Sequence, residues 1–421
     1  MIYFAGEKRQ LWEDIMAKNV IVGQSGGPTA VINSSLVGVY EAAVSRGAQH
    51  VYGMQYGVQG LLEGKYIDLG EHLKSSLEIE LLKRTPSSFL GSCRYKLPAP
   101  EKGNAVYEKL FAMLAQLDVG FFFYIGGNDS MDTIYKLSTY AQLVQSDIKF
   151  MGIPKTIDND LALTDHTPGY GSAAKYIATL MKEIVRDSLV YDLKNVTIVE
   201  IMGRNAGWLT GAAALAKDED CEGVDLICLP EVPFDIEKFV AEVDRLMNEK
   251  GGVVVALSEG VRLADGRCVC ELEADGGTPD AFGHKIMAGA ARYLSNLVAS
   301  RLHCKSRSIE LSTLQRCGSH ICSRVDVTEA YQAGGAAVYA AFSGHTGEMV
   351  GLQRHHNNPY QCYTAMHPIG QIANVEKTVP TQWITPNHMQ VTNAFCEYAR
   401  PLIQAELTPI YINGLPRHLY L

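Results

Sequence analysis

Asn19–Gly47 reads NVIVG, then QSGGPTA, then VINSSLVGVYEAAVSRG, and this stretch decides the fold. NVIVG is a short continuous apolar run, the pattern of a strand buried on both faces. QSGGPTA punctuates it with glycines, and the apolar residues that follow recur at helical spacing until Gly47, a predicted C-cap. One strand, one glycine turn and one amphipathic helix make a β-loop-α unit.

The unit recurs along the chain. Gly120–Ile125 (GFFFYI) leads through GGNDS into MDTIYKLSTYAQLV, and Val196–Ile201 (VTIVEI) leads through MGRNAGW into LTGAAALAKD. Ile148–Ile153 (IKFMGI) is a further buried strand that ends at PKTIDND, and strands are predicted at Asp225–Leu229 and Gly252–Leu257, the latter followed by SEG. Continuous apolar strands, each followed by a helix, predict an α/β fold whose parallel sheet is covered on both faces. Ligands sit beyond the carboxyl ends of such strands, where SGG, GGNDS, PKTIDND, MGRN and SEG all fall. From about Gln353 the pattern weakens into QRHHNNPYQC and several prolines, which predicts an appended, less regular segment over 352–421.

The 421 residues, 47% hydrophobic, are enough for two or three folding units with a large core. Ten cysteines are scattered without a Cys-x-x-Cys pair, so neither a disulfide framework nor a structural metal site is expected, and a reducing, cytoplasmic setting fits. Charges interrupt the first 19 residues, against a signal peptide or anchor, and no run reaches the ~18 apolar residues a membrane span needs. A formal net charge of −9 argues against nucleic-acid binding, so a phosphorylated ligand must be held by local cations.

Two loops, Ser25-Gly26-Gly27 and Gly126-Gly127-Asn128-Asp129-Ser130, place glycines between a strand and a helix, where backbone amides and the helix dipole receive phosphate oxygens. Neither matches the P-loop or the dinucleotide fingerprint. Pro154–Asp160 adds Lys155, Thr156 and two carboxylates, Asp158 and Asp160, which on an extended chain project to one side. A base, a cation and positioning groups are what phosphoryl transfer to a hydroxyl requires.

QSGGP, GGNDS, PKTIDND, TPGYGSAAKYI, VEIMGRNAGW, ALSEG and LQRCG occur in the order and near the spacing of the phosphofructokinase family, which this chain resembles over about Asn19 to Gly351. The resemblance implies two Rossmann-like three-layer subdomains with largely parallel sheets and an active site in the cleft between them. Residues 15–165 plus about 315–351 would form the phosphoryl-donor side and 166–314 the sugar-phosphate side.

By motif match, Asp158 is the general base toward the sugar 1-hydroxyl, Thr156 contacts the same end, and Asp160 supports the loop or the metal. Met202, Gly203 and Arg204 border the sugar phosphate, and Glu259 binds sugar hydroxyls. Arg307 and Arg316 hold the acceptor's phosphate end, and Arg94 steadies the transferring group. Gly27, Gly127 and Lys155 would bind the diphosphate. ATP-using relatives carry glycine at the positions of Asp129 and Lys155; a carboxylate at 129 obstructs a nucleotide α-phosphate, and the ammonium at 155 suits pyrophosphate.

The resemblance therefore implies pyrophosphate-dependent phosphorylation of fructose 6-phosphate with Mg²⁺, reversible, in glycolysis or gluconeogenesis, by a homodimer or homotetramer. An ATP-dependent phosphofructokinase, a catalytically silent regulatory relative, and sedoheptulose 7-phosphate as acceptor stay open. Three departures stand out. Asn128 occupies the position of the usual magnesium-binding acid and is the expected metal residue, its amide carbonyl a weaker, uncharged ligand, so that the ion relies also on the diphosphate and other acids; Asn195 and Thr313 replace an arginine and a histidine tied to the 6-phosphate. The third is the tail beyond about Gln353. Thr313 stays in the expected acceptor set, with Lys305 beside Arg307 as a substitute cation.

Overall fold

The computed structural model describes residues 18–190, 192–272 and 289–421. Residues 1–17, on which the leader reading and the expected start of the first half fall, lie outside the described residues.

Among the described residues the chain builds two large sheets and a two-stranded ribbon, Tyr411–Ile412 with Leu415–Pro416. Strands β1 (Asn19–Gln24), β2 (Val51–Met54), β3 (Tyr66–Asp68), β4 (Val119–Gly126) and β5 (Lys149–Pro154) belong to the first. Strands β6 (Asn195–Ile201), β7 (Leu226–Cys228), β8 (Gly252–Ser258) and β9 (Lys305–Glu310) form the second. The chain then returns to the first sheet with β10 (Glu348–Asn357) and β11 (Tyr360–Pro368), giving the orders β11-β10-β5-β4-β1-β2-β3 and β7-β8-β6-β9. All pairings in the second sheet are parallel; in the first only the edge strands β3 and β11 run antiparallel.

Seven long helices cover the sheets: α1 (Ile32–Ser45), α2 (Ala105–Gln116), α3 (Asn128–Leu143), α4 (Tyr170–Ser188), α5 (Ile236–Lys250), α6 (Ala290–Leu302) and α7 (Arg324–Phe342). The continuous apolar strands fill two cores each, because successive side chains point to opposite faces. Val20, Val22, Phe121 and Phe123 pack with α1 and α7, whereas Ile21, Phe122 and Tyr124 pack with α2 and α3. Likewise Val196 and Ile198 face α5 and α6, while Val199 and Ile201 face α4. Helices α1 and α7 approach closely at glycines. A Cβ on Gly38 would sit 2.1 Å from the Tyr331 carbonyl oxygen, and one on Gly334 would sit 2.1 Å from that of Ser35.

Two expectations fail. The segment beyond 352 is not simply irregular, since Gln353–Asn357 continues β10 and Tyr360–Pro368 returns as β11. Its polar composition reflects a half-exposed edge hairpin, which has no need of a continuous apolar run. The remaining tail then packs on both halves, with Ile369 and Ile372 in one core and Phe395, Tyr398 and Leu402 in another. The segment after MGRNAGW also forms less helix than its pattern suggests: one α turn, Trp208–Gly211, followed by a 3₁₀ turn, Ala212–Ala216. The ring of Phe395 lies against Gly211, where an added Cβ would come within 2.6 Å of it.

Candidate active site

A cleft of about 340 Å³ opens where the carboxyl ends of the two sheets face each other. The loop after β1 supplies Gly27, and the loop after β4 supplies Gly127, Asn128 and Asp129. Helix α3 starts at Asn128 with no side-chain cap; the Ser130 N–H donates to the Gly127 carbonyl at 3.0 Å, which leaves the Asn128 and Asp129 N–H groups for an anion.

Lys155 follows β5 and is 2% exposed. Its Nζ donates to the carbonyl oxygens of Ser25, at 3.0 Å, and Gly27, while its own N–H donates to the Gly126 carbonyl. Side chain and backbone together thus tie the residue to both glycine loops. Burial pushes its pKa down to about 8; Asp158 and Asp160 pull upward, and the Arg316 and Arg94 charges reinforce the drop.

The carboxylates come from the next five residues. The chain is not extended there, as the sequence reading supposed: Asn159 adopts a left-handed conformation (φ 56°) and turns the backbone. Its buried side chain accepts from the Thr167 N–H at 3.0 Å and donates to the Tyr398 hydroxyl at 2.8 Å. Asp158 and Asp160 nevertheless both line the cleft. The Asp158 N–H donates to Thr156 Oγ1 at 3.1 Å, and burial raises its carboxyl pKa against the pull of Lys155. Burial and the Asp158 charge push Asp160 up to about 7, and its Oδ1 is buried without a hydrogen-bond partner.

The second sheet contributes Met202, Arg204 and Glu259. Arg204 Nε is buried with no hydrogen-bond partner among the described residues, a donor that can serve an anion in the cleft. Glu259 accepts the Gly203 N–H at 3.3 Å, and burial pushes its pKa up to about 7. Gly203 is therefore a support for Glu259 and not itself part of the lining.

Arg94 and Arg316 also line the cleft, so four cations gather there in an acidic protein. Arg316 departs from expectation. Its guanidinium lies beside the donor loop, where a Cβ on Gly27 would be 3.5 Å away, and not only toward an acceptor phosphate. Arg307 and Thr313 lie outside the cleft. Arg307 is exposed on the edge strand β9, 4.0 Å from Asp187, and Thr313 is exposed ahead of the short Leu314–Cys317 helix. The Asn128 amide is engaged by the tail, its Oδ1 accepting the Asn374 N–H and its Nδ2 donating to the Val375 carbonyl, each at 3.1 Å.

Sequence reasoning missed the tail's contribution. Glu376 lines the cleft and accepts from Asn205 Nδ2 at 3.1 and 3.2 Å, and Tyr398 braces the Asp158 loop through Asn159. Neither residue sits in a glycine-punctuated strand-to-helix turn, so no local signal marked them.

Two glycine loops, two buried carboxylates and four cations between two largely parallel sheets suit a phosphotransferase. The family described as Phosphofructokinase matches residues 19–341, and the chain belongs to that family. It is 40% identical over 409 residues to the pyrophosphate–fructose 6-phosphate 1-phosphotransferase of Methylococcus capsulatus, covering 96% of each chain. The crystal structure of a pyrophosphate-dependent phosphofructokinase from Nitrosospira multiformis superposes with a TM-score of 0.85 at 38% identity, covering 96% of both chains. The corresponding enzyme from Marinobacter aquaeolei gives 0.84 at 37% identity, covering 96% of this chain and 95% of that one. Among the described residues, no helix is long and apolar enough to cross a membrane.

Proposed function

We propose that this chain transfers a phosphoryl group from pyrophosphate to the 1-hydroxyl of fructose 6-phosphate, giving fructose 1,6-bisphosphate and phosphate in a reversible, cytoplasmic step of glycolysis or gluconeogenesis. The observation that carries the choice of donor is the buried ammonium of Lys155, bonded to the first glycine loop in a cleft that Asp129 also lines. Asp129 puts negative charge where a nucleotide α-phosphate would pass, and Lys155 fills the space with a counter-charge for a diphosphate. The relatives named for pyrophosphate support the same reading.

Asp158 takes the hydroxyl proton, with Thr156 fixing its loop. Its raised pKa suits a base that must accept a proton near neutral pH. Lys155, Arg94, Arg204 and Arg316 face the charge that spreads over the transferring group, and Glu259 receives sugar hydroxyls. The first-sheet half is the donor side and residues 166–314 the acceptor side.

The cleft also fits Mg²⁺: an orphaned buried oxygen on Asp160 beside a second carboxylate is the oxygen-rich setting such an ion takes. When bound, Mg²⁺ neutralises diphosphate charge and orients the phosphoryl group. Asn128, with its amide committed to the tail, is a poor candidate for its principal ligand.

Arg307 and Lys305, exposed on edge strand β9, would serve the acceptor end of a neighbouring subunit in a homodimer or homotetramer. Sedimentation showing a monomer at working concentration would remove that role. The reaction itself is tested by ³¹P NMR of purified protein with Mg²⁺, pyrophosphate and fructose 6-phosphate. Bisphosphate and orthophosphate should appear in equal amounts, and the reverse mixture should regenerate pyrophosphate; no bisphosphate from the forward mixture refutes the reading.

A further inference from the structure

We infer that Glu376, delivered by the C-terminal segment, is a ligand of the divalent cation and takes over the work of the acid missing at position 128. The inference rests on the diphosphate-transfer reading above and adds a residue to it.

The segment around Glu376 is fastened to the catalytic loops by its backbone. Asn374 N–H and the Val375 carbonyl hold both ends of the Asn128 amide, Leu161 and Glu376 form an antiparallel bridge, and the Lys377 N–H donates to the Asp160 carbonyl at 2.7 Å. Lys377 Nζ turns the other way and donates to the carbonyls of Thr164 and Asp165, at 3.1 and 2.8 Å. Glu376 is thereby left facing the cleft beside Asp160, near enough for its charge to act on both Asp158 and Asp160.

Three observations converge. Position 128 carries an amide where the family resemblance expects an acid, and that amide is bonded at both ends to residues 374 and 375. One Asp160 oxygen is sealed from water with no partner. The segment that occupies Asn128 brings a new carboxylate to the same wall, held by two bonds from Asn205. Mg²⁺ retains much of its water and needs only one or two protein carboxylates beside substrate phosphate oxygens, which Asp160 and Glu376 provide while Asp158 remains free to act as base.

The test is Mn²⁺ binding followed by electron paramagnetic resonance, with methylenediphosphonate as the non-transferable diphosphate. Glu376→Gln should weaken Mn²⁺ binding at least about tenfold. Glu376→Asp should recover part of the loss, and Asn128→Asp in the Glu376→Gln background should recover more. The Mg²⁺ concentration for half-maximal rate should rise in parallel, with the fructose 6-phosphate KM unchanged. Glu376 is exposed, so the substitution should leave the melting temperature intact, and Glu376→Asp provides a second reading if it does not. Wild-type Mn²⁺ affinity in Glu376→Gln, or a change confined to the sugar KM, overturns the assignment. If the wild type transfers nothing from pyrophosphate while Glu376→Gln still loses Mn²⁺, the donor reading falls and the cation seat stands.

Discussion

Asp158, the proposed base, is the best-marked residue of the sequence and lines the cleft. Replacing it by Asn keeps its shape and removes the base, so kcat should fall about 10²–10⁴-fold with little change in either KM. Steady-state kinetics check this, and an unaltered kcat would remove Asp158 from the mechanism. The pH profile tests its neighbour. Lys155 must be charged to hold a diphosphate, and burial brings its pKa down to about 8, so kcat/KM for pyrophosphate should decline as pH rises through about 8. On the acid side the rate should fall as Asp158 gains a proton, at a pH above the ordinary carboxylate range because its pKa is raised. Lys155→Met should lose most diphosphate affinity and flatten the alkaline limb; a wild-type alkaline limb in that variant would assign it to another group. These residues were legible because each lies in a short turn whose glycines and charges make little sense without a ligand. Arg316 was legible as a site residue but not in its placement, since which loop a long side chain lies against depends on contacts far away in sequence.

Elements outside the cleft hold its loops at the right height. After the Asp158 turn the chain enters a buried charged network. His166 is clasped between Asp165, at 2.8 Å, and Glu329 on α7, at 2.6 Å, with Arg354 of β10 on Asp165 and Tyr360 of β11 on Glu329. Burial alone would lower the His166 pKa; the Glu329 charge and the bonds to both carboxylates outweigh it and raise the value to about 9. A histidine raised in this way stabilises the fold fully below its ordinary pKa near 6.5, and that stability is lost as pH rises through about 9. Glu329→Gln leaves the imidazolium half-paired and should cost about 3–5 kcal/mol near neutral pH. In thermal melts the difference between wild type and variant should shrink from pH 6.5 to above 9; a constant difference would mean that His166 is neutral. Strands β1, β4, β5, β6, β7 and β8 were legible to within a residue or two, because burial on both faces forces a continuous apolar run, whereas β2, β3 and β9, short or partly exposed, were not read as strands. The β10–β11 hairpin was not, because one exposed face and an edge position permit histidine, asparagine and glutamine throughout.

At the scale of the whole molecule, two parallel sheets turn their carboxyl ends toward each other, and the C-terminal tail crosses from one core to the other and closes a wall of the cleft. The alternating pattern of strands and helices foretold the α/β class. The tail's route was hidden, since Glu376 and Tyr398 meet Asp160 and Asn159 only after more than two hundred intervening residues have folded. The chemistry rests on many motifs and survives the loss of any one, whereas the choice of donor rests on Asp129 and Lys155. The most direct test is therefore a side-by-side assay of the wild type with pyrophosphate and with ATP, at saturating fructose 6-phosphate and Mg²⁺, coupled to detection of fructose 1,6-bisphosphate. The account predicts robust turnover with pyrophosphate and none above background with ATP; robust turnover with ATP and none with pyrophosphate would contradict it.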